Sequence, residues 1–192
     1  RFDIPVYTKQ GTWREIQDKL IVPKNRLIEL TKGSLTLGSL IVEPFSVSHD
    51  AADPIGINVF AGNNKATIVT DTGVISDNIL RRIDDTTLLV LEANYDPHML
   101  RFGPYQPFLK QRVASDEGHL SNEMAAQALL MMKRPDFMQV ILAHRSENNN
   151  NSVLVTQTIG KMLVDGGVRI GPEMKLQHGQ PNEIVSIQSV KR

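Results

Sequence analysis

Three short polar motifs each follow an apolar, β-branched run: Ser48-His49-Asp50-Ala51-Ala52-Asp53-Pro54, Thr70-Asp71-Thr72-Gly73 and Ala143-His144-Arg145-Ser146-Glu147-Asn148-Asn149. The runs before them are Ile41 to Val47, Ala66 to Val69 and Met138 to Leu142. Imidazole, carboxylate and imidazole at successive strand ends can converge on one rim of a sheet, which is how a hydrolytic metal site is assembled from distant sequence. His49 and His144 are therefore candidate metal ligands. Asp71, with two carboxylate oxygens, is a candidate bridge between two cations. Taken singly, each residue has a plainer reading: a loop histidine among solvated acids, an Asx turn after a strand, an imidazole bonded to a backbone carbonyl.

Glu92 and His119 form a further pair. Glu92 ends the apolar stretch Leu88-Leu89-Val90-Leu91, where a carboxylate needs a partner. His119 lies in Gly118-His119-Leu120-Ser121-Asn122, just before a strong helix signal. A histidine held by a carboxylate can act as general acid toward a leaving oxygen; a structural salt bridge or a capping contact would use the same residues. His98 and His178 lack such surroundings and read as surface residues. Arg81, Arg82, Arg101, Lys110 and Arg112, with Phe102, Tyr105 and Phe108 among the last three, combine charge and stacking as nucleic-acid surfaces do. Ordinary solvated helix faces explain them as well and are the favoured reading.

The elements that must position these groups alternate along the chain. Ile4 to Tyr7 reads as a strand, and Thr12 with Glu15 as a capping box for a helix to about Leu20. Residues 26–58 are strand-rich, with a Gly33-Ser34 turn, and Gly62-Asn63-Asn64 signals a hairpin. Ser76 or Asp77 opens a helix to Ile83, and Thr87 to Leu91 reads as a strand buried on both faces. Helices follow over 96–102, 107–114 and 122–133, then a strand at 137–142 and a helix over 152–164 closed by Gly166-Gly167. Met174 to Gln177 and Ile184 to Gln188 are expected as closing strands. The only low-complexity tract is Asn148 to Asn151, and no linker divides the chain. An α/β layered fold with a mixed sheet, one domain over residues 1–192, is the expectation.

Composition narrows the chemistry. The chain has 192 residues, enough for one sizeable core, with 41% hydrophobic and 22% charged residues. Lys+Arg and Asp+Glu are both 21, so net charge gives no support to nucleic-acid binding beyond a local patch. Cysteine is absent, so any metal must be held by His and carboxylates, and a reducing cytosol is the expected compartment. No apolar run approaches the roughly 20 residues of a membrane span. The chain opens on Arg1 in mid-pattern, and an N-terminal segment is expected to be missing.

Together these motifs, with Glu92-Ala93-Asn94-Tyr95-Asp96 and Met99-Leu100, resemble the metallo-β-lactamase superfamily, and within it the bacterial YycJ/WalJ-type hydrolases. The resemblance runs in order over nearly the whole chain. It implies an αββα sandwich with a dinuclear site at one edge. His49 would ligate the first metal, Asp71 would bridge both and His144 would ligate the second. Glu92 and His119 resemble the pair that assists leaving-group protonation in the ribonuclease Z pattern. YycJ/WalJ-type members are described as metal-dependent 5′-to-3′ DNA exonucleases linked to mismatch repair and to the operon of a two-component system that regulates the cell wall. The implied partners are thus two divalent ions, Zn or Mn in the absence of thiolates, and a DNA strand. The superfamily's His-x-His-x-Asp-His signature is absent: none of the five histidines forms an i, i+2 pair. The fold is therefore expected to be N-terminally incomplete and the ions only partly ligated by this chain. Exposed sheet edges would then promote self-association. RNA or a cyclic nucleotide as substrate, and a non-catalytic binding module, are the alternatives.

Overall fold

The computed structural model describes residues 4–19, 23–30 and 33–187. It opens with β1 (Val6–Thr8), α1 (Gln10–Ile16), a 3₁₀ turn (Lys24–Arg26) and β2 (Leu27–Glu29). A meander follows: β3 (Leu35–Leu37), β4 (Leu40–Ser46), β5 (Ile55–Ala61) and β6 (Asn64–Val69). Alternation then begins with α2 (Asp77–Ile83), β7 (Leu88–Glu92), α3 (Pro97–Phe102), α4 (Pro107–Val113) and α5 (Asn122–Met131). The last elements are β8 (Met138–Ala143), α6 (Ser152–Asp165) and β9 (Met174–His178).

β1 and β2 pair in parallel, and the other strands form one seven-stranded sheet in the order β3-β4-β5-β6-β7-β8-β9. Its first half is antiparallel; β6 to β9 are parallel. The sheet is thus mixed, as expected. The β5–β6 hairpin closes on two residues, with Gly62 at φ +57, a left-handed conformation that suits glycine. Register places Val69, Leu91 and Leu142 side by side, with Leu89 and Val140 one row below. These side chains are buried with Ile79 and Ile83 of α2, Ala125 and Leu129 of α5, and Val155, Ile159 and Leu163 of α6. Burying such a cluster is the main stabilising term of the domain. On the opposite face Ile57, Ile68, Val90 and Ile141 line up in register and are only partly covered. A helix-covered sheet with a second apolar face is the αβ layer pair from which the expected sandwich is built.

Most boundaries agree with the sequence. Ser76 caps α2, Asp96 caps α3, Ser121 caps α5 and Asn151 caps α6, each accepting a backbone N–H with its side chain. Three expectations fail. β7 alternates half-buried and buried residues instead of being buried on both faces, because the helices cover one side of the sheet. α1 begins at Gln10 behind Lys9, so Thr12 lies inside the helix and its hydroxyl donates to the Asp53 carbonyl (3.3 Å) instead of capping. α1 also stops at Ile16, short of the expected end near Leu20, which lies outside the described residues. Residues 184–187 form no strand: β9 is already the sheet edge, and Ile184 is 96% exposed with no partner row to bury it. Gln188 lies outside the described residues. No helix among those described is long and apolar enough to cross a membrane.

Candidate metal centre

The rim forms because β6, β7 and β8 run parallel and end level, with Val69 beside Leu91 and Glu92 beside Ala143. Asp71 lies two residues past β6, Glu92 is the last residue of β7, and His144 follows β8 directly. β4 runs in the same direction, so the loop after it delivers His49 to the same edge. His119, just before α5, completes the group.

Glu92 is the hub. It is fully buried, and its Oε1 accepts from His119 Nδ1 (2.7 Å) and from His144 Nδ1 (2.8 Å). Its Oε2 accepts the Thr72 N–H (3.1 Å). Burial pushes this carboxyl up, but the bonds from His119 and His144, the charge of His119 and the Thr72 amide leave it below its ordinary value. The same contact acts in reverse on His144. Its bond to Glu92 outweighs burial and holds the imidazole above its ordinary value. A carboxylate can only accept, so both Nδ1 atoms carry the proton and both Nε2 atoms stay free for a ligand or a substrate.

His49 is held by a different device with the same result. Its Nδ1 lies 3.0 Å from the Gly118 carbonyl, which can only accept, so Nε2 faces the carboxylates, 3.5 Å from Asp50 Oδ1. Gly118 is required there: a Cβ on it would lie 2.2 Å from the Arg112 carbonyl oxygen. Gly73 is similarly enclosed, 2.2 Å from the Ser115 carbonyl, and its N–H donates to Ser48 O (3.0 Å). The neighbouring Asp50 is gripped bidentately by Arg112 of α4, with Nη2 at 3.0 Å from Oδ1, which keeps its carboxyl below the ordinary range.

Asp71 Oδ1 lies 3.7 Å from His49 Nε2 and 3.6 Å from His144 Nε2. Both are too long for hydrogen bonds. The three groups face one another with lone pairs uncommitted. The donor atoms of His49, Asp71 and His119 lie within 4.8 Å of one another, as do those of Glu92, His119 and His144, where Glu92 Oε1 is already taken by the two Nδ1–H groups. His119 belongs to both, with its ring centroid 5.1 Å from that of His49 and 5.2 Å from that of His144. The structure thus brings all five expected site residues together.

Three features were not read from the sequence. Asp71 and His144 both adopt left-handed backbone, at φ +55 and +51, a conformation uncommon for residues other than glycine. Glu92 holds two imidazoles rather than one. The middle of the asparagine tract, Asn149 and Asn150, is buried: Asn150 bonds reciprocally with Asn122 (2.8 and 3.1 Å) and donates to Ala93 O (3.1 Å). Asn94 Nδ2 donates to the His144 carbonyl (2.7 Å), tying the β8 turn to the end of β7. Asparagines beside strand ends were the available signal. His98 stacks on Phe102 (4.6 Å) away from the rim, and half-buried His178 bonds Thr156 Oγ1 (2.9 Å). Phe102 and Phe108 are well exposed, Arg101 lies over the Phe102 ring (5.3 Å) and Lys110 donates to Arg101 O (2.8 Å), whereas Arg82 is paired with Glu43 (3.5 Å). Tyr105 and Arg112 line a cleft of about 350 Å³ that opens beside His119 and His144.

The β-lactamase superfamily domain model matches residues 1–144. Exodeoxyribonuclease YycJ of Bacillus anthracis is 33% identical over 192 residues, 99% of this chain and 73% of that protein. Exodeoxyribonuclease WalJ of Streptococcus pneumoniae serotype 2 is 29% identical over 187 residues, 95% of this chain and 69% of that protein. The crystal structure of the metallo-β-lactamase fold protein YhfI from Bacillus subtilis superposes with a TM-score of 0.61 at 15% identity. That match covers 90% of this chain and 61% of YhfI, so the chain spans less than two thirds of that neighbour. The fold implies divalent metal ions, and the oxygen and imidazole donors at the rim fit them. With a family model covering most of its length and a sheet rim that gathers His49, Asp71, Glu92, His119 and His144, this chain belongs to the metallo-β-lactamase superfamily.

Proposed function

We propose that the chain carries the His49, Asp71 and His144 side of a two-ion centre for phosphodiester hydrolysis, and that its reaction is 5′-to-3′ exonucleolytic cleavage of DNA. The observation that carries this reading is that His49 and His144 hold Nε2 3.7 and 3.6 Å from Asp71 Oδ1 with Nδ1 engaged elsewhere, and that His119 gathers with His49 and Asp71 within 4.8 Å. The exodeoxyribonuclease names of the two bacterial relatives support DNA as the substrate. Asp71, His49 and His144 would hold the ions, Zn or Mn, which this chain ligates only in part. When bound, the ions supply an acidified water and neutralise charge on the phosphate. Residues 1–192 would act as one domain, in the cytosol, with nucleic acid as partner.

His119 is the general acid in this reading. Its Nδ1–H is fixed on Glu92, which stabilises the imidazolium, so the transferable proton sits on Nε2. Glu92 itself is buried and acts by orientation. The test is cleavage of 5′-labelled and 3′-labelled duplex DNA by the metal-loaded chain, with His119→Ala beside it. His119→Ala is expected to lower turnover about 10²–10⁴-fold with metal content unchanged. Loss of metal together with rate would make His119 a ligand, and an unchanged rate would remove it from the mechanism.

A further inference from the structure

We propose that Arg145 is a phosphate-binding residue: in the cleft beside the rim it takes a non-scissile phosphate of the nucleic-acid strand. The inference rests on the reading of the rim as a DNA-cleaving site. Arg145 follows His144 and both line the same cleft, so a phosphate bound there would lie close to the rim. The cleft of about 350 Å³ is lined by Arg145, Arg112, Tyr105, His119 and His144, with exposed Glu147 as the one carboxylate among its lining residues. Arg112 is already spent on Asp50. Arg145 is not: its Nη1 is buried and has no hydrogen-bond partner among the described residues. A guanidinium nitrogen without an acceptor keeps its hydrogen-bonding capacity for a ligand. Planar guanidinium matches phosphate oxygens in fork geometry, and Tyr105 adds an aromatic surface on which a base could stack.

The proposal gives opposite signs for binding and stability. Binding is read by fluorescence anisotropy of 3′-labelled single-stranded decadeoxynucleotides, one 5′-phosphorylated and one 5′-hydroxyl, in EDTA. Arg145→Met is expected to weaken binding about tenfold and to lower the salt dependence by roughly one phosphate contact. Its melting temperature should stay level or rise, because no partner is orphaned by the change. Arg145→Lys should bind at an intermediate level, since it keeps the charge and loses the fork. An effect confined to the 5′-phosphorylated strand assigns Arg145 to the terminal phosphate; an equal effect on both strands assigns it to an internal diester. Unchanged binding in Arg145→Met, no binding by the wild-type chain, or a fall in melting temperature would overturn the proposal. EDTA separates this result from catalysis. Arg145-dependent binding by a chain that fails to cleave when metal-loaded would overturn the exonuclease reading alone.

Discussion

Glu92 shows how much one buried carboxylate can organise. One oxygen fixes the tautomer of two histidines from different loops, while the other takes the amide that follows Asp71. Glu92→Gln keeps the volume but puts an amide where three donors converge, so some donors lose their acceptor. Zinc affinity is expected to fall about 10- to 100-fold, measured by calorimetric titration; unchanged affinity would show that the imidazoles are positioned by other means. At this scale the sequence was informative about residue types. Strand-end His49, Asp71, Glu92 and His144 were legible from the apolar runs before them, and His119 from the helix signal after it. What was hidden is geometry: left-handed φ at Asp71 and His144 follows from the turns that tertiary packing imposes, and nothing in a single residue type signals it.

Elements hold these side chains through close backbone contacts more than through long helices. Gly118 is the clearest case, since its carbonyl orients His49 and its Cα position is enclosed by carbonyl oxygens of Arg112 and Val113. Gly118→Ala must move backbone, and a loss of about 1–3 kcal/mol in urea unfolding is expected, with weaker metal binding. Full stability in that variant would mean the loop yields freely. The packing of β9 on α6 supplies a pH dependence. Thr156 Oγ1 donates to Ser152 O, so His178 Nε2–H donates to Thr156. Burial, with Arg145 nearby, holds the His178 imidazole below its ordinary value. The unfolded chain therefore takes up this proton first: the contribution is complete above the ordinary histidine range and declines as pH falls below it. From about pH 7.5 to pH 5.5 the melting temperature of wild type should fall further than that of His178→Gln; equal falls would contradict it. Helix caps were legible because Ser76, Asp96, Ser121 and Asn151 carry their own acceptors. The start of α1 was not, because Thr12 is drawn to Asp53, 41 residues away, a contact no local pattern encodes.

At the scale of the whole molecule, the parallel β6–β9 half brings distant motifs level, and the antiparallel β3–β6 half brings the loop of His49 to the same edge. The order of strands and helices was legible from alternating apolar runs and glycine breaks, and so was a mixed sheet. The partly covered face bearing Ile57, Ile68, Val90 and Ile141 was not, since Thr87 to Leu91 reads from sequence as a strand buried on both faces. The assembled rim makes a claim that metal binding tests directly. Zinc titration of the purified chain, with Asp71→Ala and His144→Ala in parallel, is the measurement to make. At least one equivalent bound by wild type, with affinity reduced tenfold or more in each variant, is the expected result. No zinc bound, or binding that is the same in all three proteins, would contradict the assignment of this rim as a metal centre.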